Sequence, residues 1–426
     1  MKKYVITLGK IIEAQSQTHP DRARALLAAA YGWVRFSEKR KGGPGVAGAY
    51  RRLNSTLAGT VSDSFRHPEK AVMVNLFLPC ELLHAMDLTP MLPEGISEYV
   101  ACTACQKGFA ETAEANDVPE TFCSYHKTML GMAASGVLPK PLMIANTTLA
   151  CDANQLSFRR LAEDFQVPHT VIDIPYAADE DAVVYVADQL RALGAQLEAL
   201  TGRRLDPQAL RKTLARSRHT VETYRAYLSH RGAVSLPVTM TGELMSLMAT
   251  HLLLGLPAAE RYAEELLHSA RQAPASRDNS RIYWLHILPN WQEPLCEIFQ
   301  NTPRCELVGS DISADYLDAP GDIDPEKPYE SMARRIVYSS FNGPSERRID
   351  AALRRAQEAR AQGIVVFCHW GCKQTMGLSQ LAKQTFEAHG LPTLVLDGDG
   401  CDSRNVATGQ MVTRVNAFLE QLEGAR

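Results

Sequence analysis

Six short apolar runs set the frame of this chain: AVMVNLFLP at 71–79, PLMIANTTLAC at 141–151, HTVIDIP at 169–175, IYWLHILP at 282–289, GIVVF at 363–367 and LPTLVLDGD at 391–399. Each is rich in β-branched or aromatic residues and too short for a helix, and helical patterns such as CDANQLSFRRLAEDF and ERRIDAALRRAQEARAQG stand between them. Strands that alternate with helices pair in parallel through right-handed crossovers. The predicted fold class is therefore α/β, with two Rossmann-like, doubly wound parallel-sheet lobes. CELLHAMDLTPMLPEG reads as a further helix and short strand. CELVG at 305–309 follows Pro303 and Arg304 and reads only marginally as a strand.

A chain of 426 residues exceeds what one core usually holds, so several units are expected. Residues 1–66 read as an N-terminal helical element, in which DRARALLAAAYGWVRF is amphipathic and EKRKGGPGVAG breaks it. Residues 67–180 read as the first lobe and 276–426 as the second. Between them, at 181–275, strand signals give way to charged helical patterns, which predicts a helical connecting segment. No repeat of solenoid length is evident.

Charge and composition exclude several roles. With 45% apolar and 22% charged residues and a formal charge of −3, the chain has no basic field for nucleic acid. The start MKKYVITLGKIIEAQ lacks an export signal, and the longest apolar stretches fall short of the ~20 residues a spanning helix needs. A cytoplasmic protein without a membrane segment is expected. In that compartment the cysteines at 80, 102, 105, 123, 151, 296, 305, 368, 372 and 401 do not form a disulfide framework.

Ligands of open parallel sheets gather beyond the carboxyl ends of the strands. Cys151, Cys372 and Cys401 each follow a predicted strand, and Cys123 opens the helical stretch SYHKTMLGMAA, where a helix N-terminus favours a thiolate. Cys123 and Cys151 belong to one lobe and Cys372 to the other, so a site made from all three lies in the cleft between lobes. Three thiolates converging there suit a four-iron, four-sulfur cube whose fourth iron stays open. On spacing alone, Cys123 and Cys151 read equally as small buried hydrophobes.

Five segments carry a resemblance. They are LPCELLHAMDLTPMLPEG at 78–95, FCSYHKTMLGMA at 122–133, LACDANQLSFRRLAE with VIDIPY at 149–176, HWGCKQT at 369–375, and LPTLVLDGDGCDSRN with QMVTRVNAFLEQLE at 391–423. In content and order they are similar to the iron–sulfur subunits of the 2-hydroxyacyl-CoA dehydratase and benzoyl-CoA reductase family. The resemblance implies one [4Fe-4S] cluster on Cys123, Cys151 and Cys372, a homo- or heterodimer with a homologous subunit, an acyl-CoA substrate, and a separate ATP-dependent activator protein with its own iron–sulfur cluster. The chain has no GxxxxGK[ST] phosphate loop of its own, which agrees with that division. One branch of the family holds two fused cubes, and Cys102, Cys105 and Cys401 are the candidates for such a second cluster. The sequence departs from the family after the first strand of the second lobe, where a glycine-containing turn is common and His286, Pro289, Asn290 and Trp291 stand here.

Other signals admit other readings. Cys102 and Cys105 with Cys368 and Cys372 form a CxxC plus CxxxC set suited to zinc, although that leaves Cys123 and Cys151 unexplained. Cys102 and Cys105 also have thioredoxin-like spacing. His369 is placed to hydrogen-bond a sulfur or the substrate, and Trp370 to pack. Asp397, Asp399 and Asp402 read as loop structure rather than an ion site, and Ser157, Arg159 and Arg160 as facing water or a partner. Glu81, His84 and Ser124 are the candidate proton carriers near the cleft.

Dehydrating a 2-hydroxyacyl thioester is difficult because the β-proton is not acidic. One electron delivered to the thioester carbonyl gives a ketyl radical anion, from which the hydroxyl leaves and beside which the proton becomes acidic. The expected function is thus the iron–sulfur subunit of an ATP-activated dehydratase or benzoyl-CoA-reductase-type enzyme, passing one electron to an acyl-CoA at an open iron. The alternatives are a double-cubane reductase of small molecules and a non-catalytic partner of a homologous chain.

Overall fold

The computed structural model describes residues 3–425, so Met1, Lys2 and Arg426 at the ends of the chain fall outside it. Three helices come first: α1 (Lys3–Thr18), α2 (Pro20–Lys41) and α3 (Gly45–Arg66). β1 (Ala71–Val74), α4 (Glu81–Ala85), β2 (Thr89–Met91), α5 (Pro93–Cys102), α6 (Gln106–Glu114), α7 (Ser124–Ala134), β3 (Met143–Thr147), α8 (Asp152–Phe165) and β4 (His169–Ile172) make the first α/β unit. Four helices follow, α9 (Glu180–Thr201), α10 (Pro207–Leu228), α11 (Met240–Thr250) and α12 (Pro257–Gln272). The second unit is β5 (Ser280–Leu285), α13 (Glu293–Ile298), β6 (Cys305–Ser310), α14 (Pro328–Val337), α15 (Ser345–Glu358), β7 (Gly363–His369), α16 (Lys373–Ala388), β8 (Thr393–Gly398) and α17 (Thr408–Gly424).

Helix starts follow side-chain chemistry. Asp179 accepts the Ala182 amide at 2.8 Å to open α9, and Asp206 accepts that of Gln208 at 2.9 Å beside Pro207 to open α10.

The strand orders are β2-β1-β3-β4 and β6-β5-β7-β8, and every neighbouring pair is parallel. The α/β architecture with two such sheets is the one expected. Central strands are covered on both faces, which is why they read as unbroken apolar runs. Alternation divides their side chains: Val72 and Val74 face a core shared with the connecting helices and the second sheet, while Ala71 and Met73 face Leu27, Tyr31 and Phe65 of the N-terminal helices. In the second sheet, Trp284, Val365 and Phe367 face the shared core, and Tyr283, Val366 and Cys368 the opposite one.

β6 corrects the marginal sequence reading. Its six residues are buried although it is a sheet edge. Arg231 explains this: it donates to the Leu307 carbonyl at 2.6 Å and pairs with Glu243 at 2.8 Å, so the connecting segment covers the edge. Pro303 and Arg304 precede the ladder rather than interrupt it.

Candidate functional site

Both sheets change direction at their centres, between β1 and β3 and between β5 and β7. Loops diverge at such switch points and leave a crevice beyond the strand ends. Here the two crevices open into one cavity of about 1360 Å³, lined by Leu76 and Phe77 after β1, Thr148–Asn154 after β3, His286 and Asn290 after β5, and His369–Gln374 after β7.

Cys123, Cys151 and Cys372 all line this cavity, and each is the N-cap of a helix: α7, α8 and α16 respectively. Three helix N-termini thus bring partial positive charge to three sulfurs. Each sulfur also has a side-chain neighbour. The Cys123 Sγ lies 3.3 Å from His369 Nε2, the Cys151 Sγ 3.7 Å from His126 Nε2, and the Cys372 Sγ 3.6 Å from Thr375 Oγ1. The Gly400 amide donates to His369 Nδ1 at 2.9 Å, which places the ring proton on Nε2, facing Cys123. Ser157, expected to face water, is buried and meets His126 Nδ1 at 3.0 Å.

Burial shifts several groups of the site. It pushes the Cys123 thiol well up, with Cys151 and Cys372 adding to the effect, and pushes Cys151 up to about 12. Burial likewise holds His126 down at about 3, and His286 and His369 below the usual imidazole range. Neighbouring thiols shifted in this way become thiolates together only when a positive group offsets their charge. Among the described residues no three His, Cys, Asp or Glu side chains fall into the geometry of a single ion. A lone tetrahedral zinc, with bonds of about 2.3 Å, would need that closeness. Thiols that cap separate helices around one cavity are a donor set of the kind iron–sulfur groups use.

Several sequence candidates lie elsewhere. Cys102, Cys105 and Cys401 have three different surroundings. Cys102 lines the cavity and meets Asn290 Oδ1 at 3.5 Å. Cys105 is sealed among Tyr31, Phe109 and Met129, and Cys401 is buried beside Ala101, Cys123 and Tyr125. Cys368 packs in the outer core of the second sheet with Tyr283, Val366 and Leu378, whereas Cys372 lies beyond the end of β7, after the turn at Trp370 and Gly371. The proton-carrier candidates Glu81, His84 and Ser124 do not line the cavity either. Glu81 is fully buried against Arg335 and accepts from Ser217 at 3.0 Å; His84 Nε2 meets the Leu252 carbonyl at 2.9 Å; Ser124 donates to Asp399. Each is consumed by a structural contact. Asp399 accepts from Ser124, Asn405 and the amides of Cys401 and Asp402, and Asp402 pairs with Arg404, so both shape the loop after β8, whereas Asp397 is exposed within β8 itself rather than in a loop. Trp370, expected to pack, is 43% exposed at the cavity rim.

Besides the exposed Asp152, the carboxyls lining the cavity are Glu94 and Glu98, one turn apart on α5, which the sequence reading passed over. Glu94 Oε2 and Glu98 Oε1 are enclosed with no hydrogen-bond partner, and burial raises both carboxyls to about 8. Tyr125 Oη lies 2.6 Å from Glu98 Oε2 and 2.9 Å from the Gly400 carbonyl. A phenol has one proton, so both contacts are satisfied when Glu98 is protonated and donates to Tyr125, which donates to Gly400. The i,i+4 spacing of two acids in PEGISEYVAC was the only signal in the sequence, and it is also that of a solvated helix face.

The departure at His286 has a backbone counterpart. His286 has φ +81°, the left-handed region that glycine favours. Asp311 holds it there by accepting its amide at 2.7 Å, and Arg348 lies 3.5 Å from His286 Nδ1.

Comparison with known proteins adds an independent line. The family model described as 2-hydroxyglutaryl-CoA dehydratase, D-component, matches residues 75–422. The (R)-phenyllactyl-CoA dehydratase alpha subunit of Clostridium sporogenes is 23% identical over 369 residues, covering 80% of this chain and 87% of that one. The lactoyl-CoA dehydratase subunit alpha of Anaerotignum propionicum is 24% identical over 379 residues, covering 81% and 89%. The (R)-2-hydroxyisocaproyl-CoA dehydratase alpha subunit of Clostridioides difficile is 22% identical over 400 residues, covering 87% and 95%.

Proposed function

The chain belongs to the 2-hydroxyglutaryl-CoA dehydratase D-component family, and we propose that it is the iron–sulfur subunit of a 2-hydroxyacyl-CoA dehydratase, a lyase. The observation that carries this reading is the convergence of Cys123, Cys151 and Cys372, from both lobes, on the cavity between the two sheets. These residues would hold a [4Fe-4S] cluster, which when bound supplies a single electron and one open Lewis-acidic iron. The electron would come from an ATP-dependent activator protein.

The chain's own residues do the rest. The cavity takes the thioester between the lobes and excludes water along its apolar wall. Glu94 and Glu98 hold protons at neutral pH, where a carboxyl near 8 is mostly neutral, and so can deliver one to the departing hydroxyl and then accept one from the adjacent carbon. The acid form persists below about 8 and is lost above it, so turnover is expected to fall as pH rises through that value. Replacing Glu94 or Glu98 by Gln is expected to lower turnover tenfold or more with iron content unchanged. A variant with full turnover removes that residue from the proton role.

His369 has a separate role. Its Nε2–H faces the Cys123 sulfur, and a donor to sulfur favours the more negative, reduced state. His369→Phe is expected to lower the cluster's midpoint potential by about 40 mV, the equivalent of about 1 kcal/mol of hydrogen bonding. An unchanged potential in an electrochemical titration would remove His369 from this role.

A homologous partner subunit is part of the reading, because the relatives are named as alpha subunits. Trp33 and Phe36, 57% and 61% exposed one turn apart on α2, suit burial against a partner. Among the described residues no helix is long and apolar enough to cross a membrane. We place the protein in the cytoplasm, where its ten free thiols persist.

The test is dehydration itself. Anaerobically purified protein, combined with partner, activator, ATP and reductant, is expected to convert a 2-hydroxyacyl-CoA to the 2,3-enoyl-CoA, seen as loss of water by mass spectrometry. Protein that carries its cluster yet neither binds nor dehydrates any such thioester overturns the reading.

A further inference from the structure

The cavity has a chemical bias beyond its cysteines. Its charged lining residues are Glu94, Glu98, Asp152 and Lys373. Asp152 and Lys373 are exposed, each at the first position of a helix whose N-cap is a cysteine, so both charges stand in water at the rim. The two that reach inside are acids, each with an oxygen lacking a protein partner. No lining arginine is available, and the buried Arg348 is committed to Asp311 at 2.7 Å. A second carboxylate on the acyl chain would therefore be taken out of water with no cation to meet it, the costly case for a buried charge.

The remaining wall is apolar and wide. Leu57 and Val61 of α3, Ile96 of α5, and Leu244, Met245 and Met248 of α11 are all buried side chains facing this space. The N-terminal helices and the connecting segment thus each supply part of one hydrophobic surface. Methionines let such a surface mould to a branched or planar group. A methyl-sized acyl side chain would leave most of it without contacts.

We infer that the acyl group of the substrate carries a bulky, uncharged, apolar side chain, branched aliphatic or aromatic, seated against the wall formed by α3, α5 and α11. This rests on the acyl-CoA reading above and narrows it, excluding dicarboxylic and very short 2-hydroxyacyl groups as preferred substrates.

Binding separates the two claims, and thioesters without the 2-hydroxyl allow it to be measured on the cluster-loaded protein with no turnover. The probes are 4-methylpentanoyl-CoA, 3-phenylpropanoyl-CoA, glutaryl-CoA, acetyl-CoA and CoA, each titrated calorimetrically. Every buried methylene is about fourfold in affinity, so 4-methylpentanoyl-CoA, with four more carbons, is expected to bind about two-hundredfold more tightly than acetyl-CoA. Glutaryl-CoA is expected to bind at least tenfold more weakly than 4-methylpentanoyl-CoA. Equal binding of all thioesters, or a preference for glutaryl-CoA or acetyl-CoA, overturns the inference and leaves the acyl-CoA reading standing. If neither CoA nor any thioester binds, both fall. Met245→Lys, checked by thermal melting, is expected to weaken the apolar thioesters tenfold or more and to bring glutaryl-CoA level with them. A folded variant with the wild-type ranking also overturns the inference, and where the variant does not fold the wild-type panel decides.

Discussion

Serine at Cys123, Cys151 or Cys372, introduced one at a time, is expected to strip the anaerobically purified protein of its iron and to abolish turnover. The three thiols are the N-caps of α7, α8 and α16 and line a single cavity, so in the proposed cluster each would supply one corner that nothing else replaces. A hydroxyl keeps its proton at neutral pH and is a poor ligand for iron, so the loss should be close to complete at any of the three positions. Serine at Cys105, Cys368 or Cys401 is the control. Those side chains are buried in hydrophobic packing, where replacing the sulfur costs about 1–2 kcal/mol of stability and leaves the ligands in place. Iron and sulfide analysis with electron paramagnetic resonance reads the result. Iron retained after a change at one of the three, or lost after a change at Cys105 or Cys401, contradicts the assignment. Serine at Cys102, which faces the cavity without a helix cap, is expected to leave the iron unchanged.

The parts that were legible share a property: they depend on local pattern and chain order. GIVVF and LMIA announce buried parallel strands because both faces are covered, and residues placed just after such strands meet at the crevice whatever the details of packing. That is how Cys151 and Cys372 could be found. Direction of side chains was not legible. Glu81, His84 and Ser124 sit in the right segments and point into Arg335, a carbonyl and Asp399, because partners far along the chain decide where a polar group is satisfied. Glu94 and Glu98 were hidden for the converse reason, since a helix face that looks solvated in sequence is enclosed here by α7 and by the second lobe. β6 was obscured by Pro303 and Arg304, and its burial comes from Arg231, more than seventy residues earlier. Cys368 and Cys372 look like a pair in sequence, but the first is packed within β7 and the second caps α16 after the turn that follows.

Alanine at Gly371 is expected to cost about 3 kcal/mol and to halve iron retention or worse, an effect out of scale with one methyl group. Gly371 has φ +79°, and a Cβ built on it would lie 2.7 Å from the Cys123 amide nitrogen, 2.8 Å from its Cα and 2.9 Å from the Phe122 carbonyl carbon. All three are backbone atoms, so no side chain can swing aside. The obstacle is also tied down from the second lobe, where Ser124 meets Asp399, Tyr125 meets Gly400, Thr128 meets Cys401 at 3.5 Å, and Glu114 meets Arg404 at 2.7 Å. The turn before Cys372 therefore rests directly on the start of α7, and the closeness of the two lobes at this point sets how far Cys372 stands from Cys123. A methyl group that pushes them apart alters that spacing as well as straining the turn. Alanine at Gly377, inside α16 with open space around it, is expected to be neutral or to stabilise by up to about 1 kcal/mol, since only helix propensity changes there. Thermal melting and iron content of the two variants distinguish a site built by close backbone contact from one held by its ligands alone: wild-type values for Gly371→Ala would mean that the contact does not set the spacing of the cysteines.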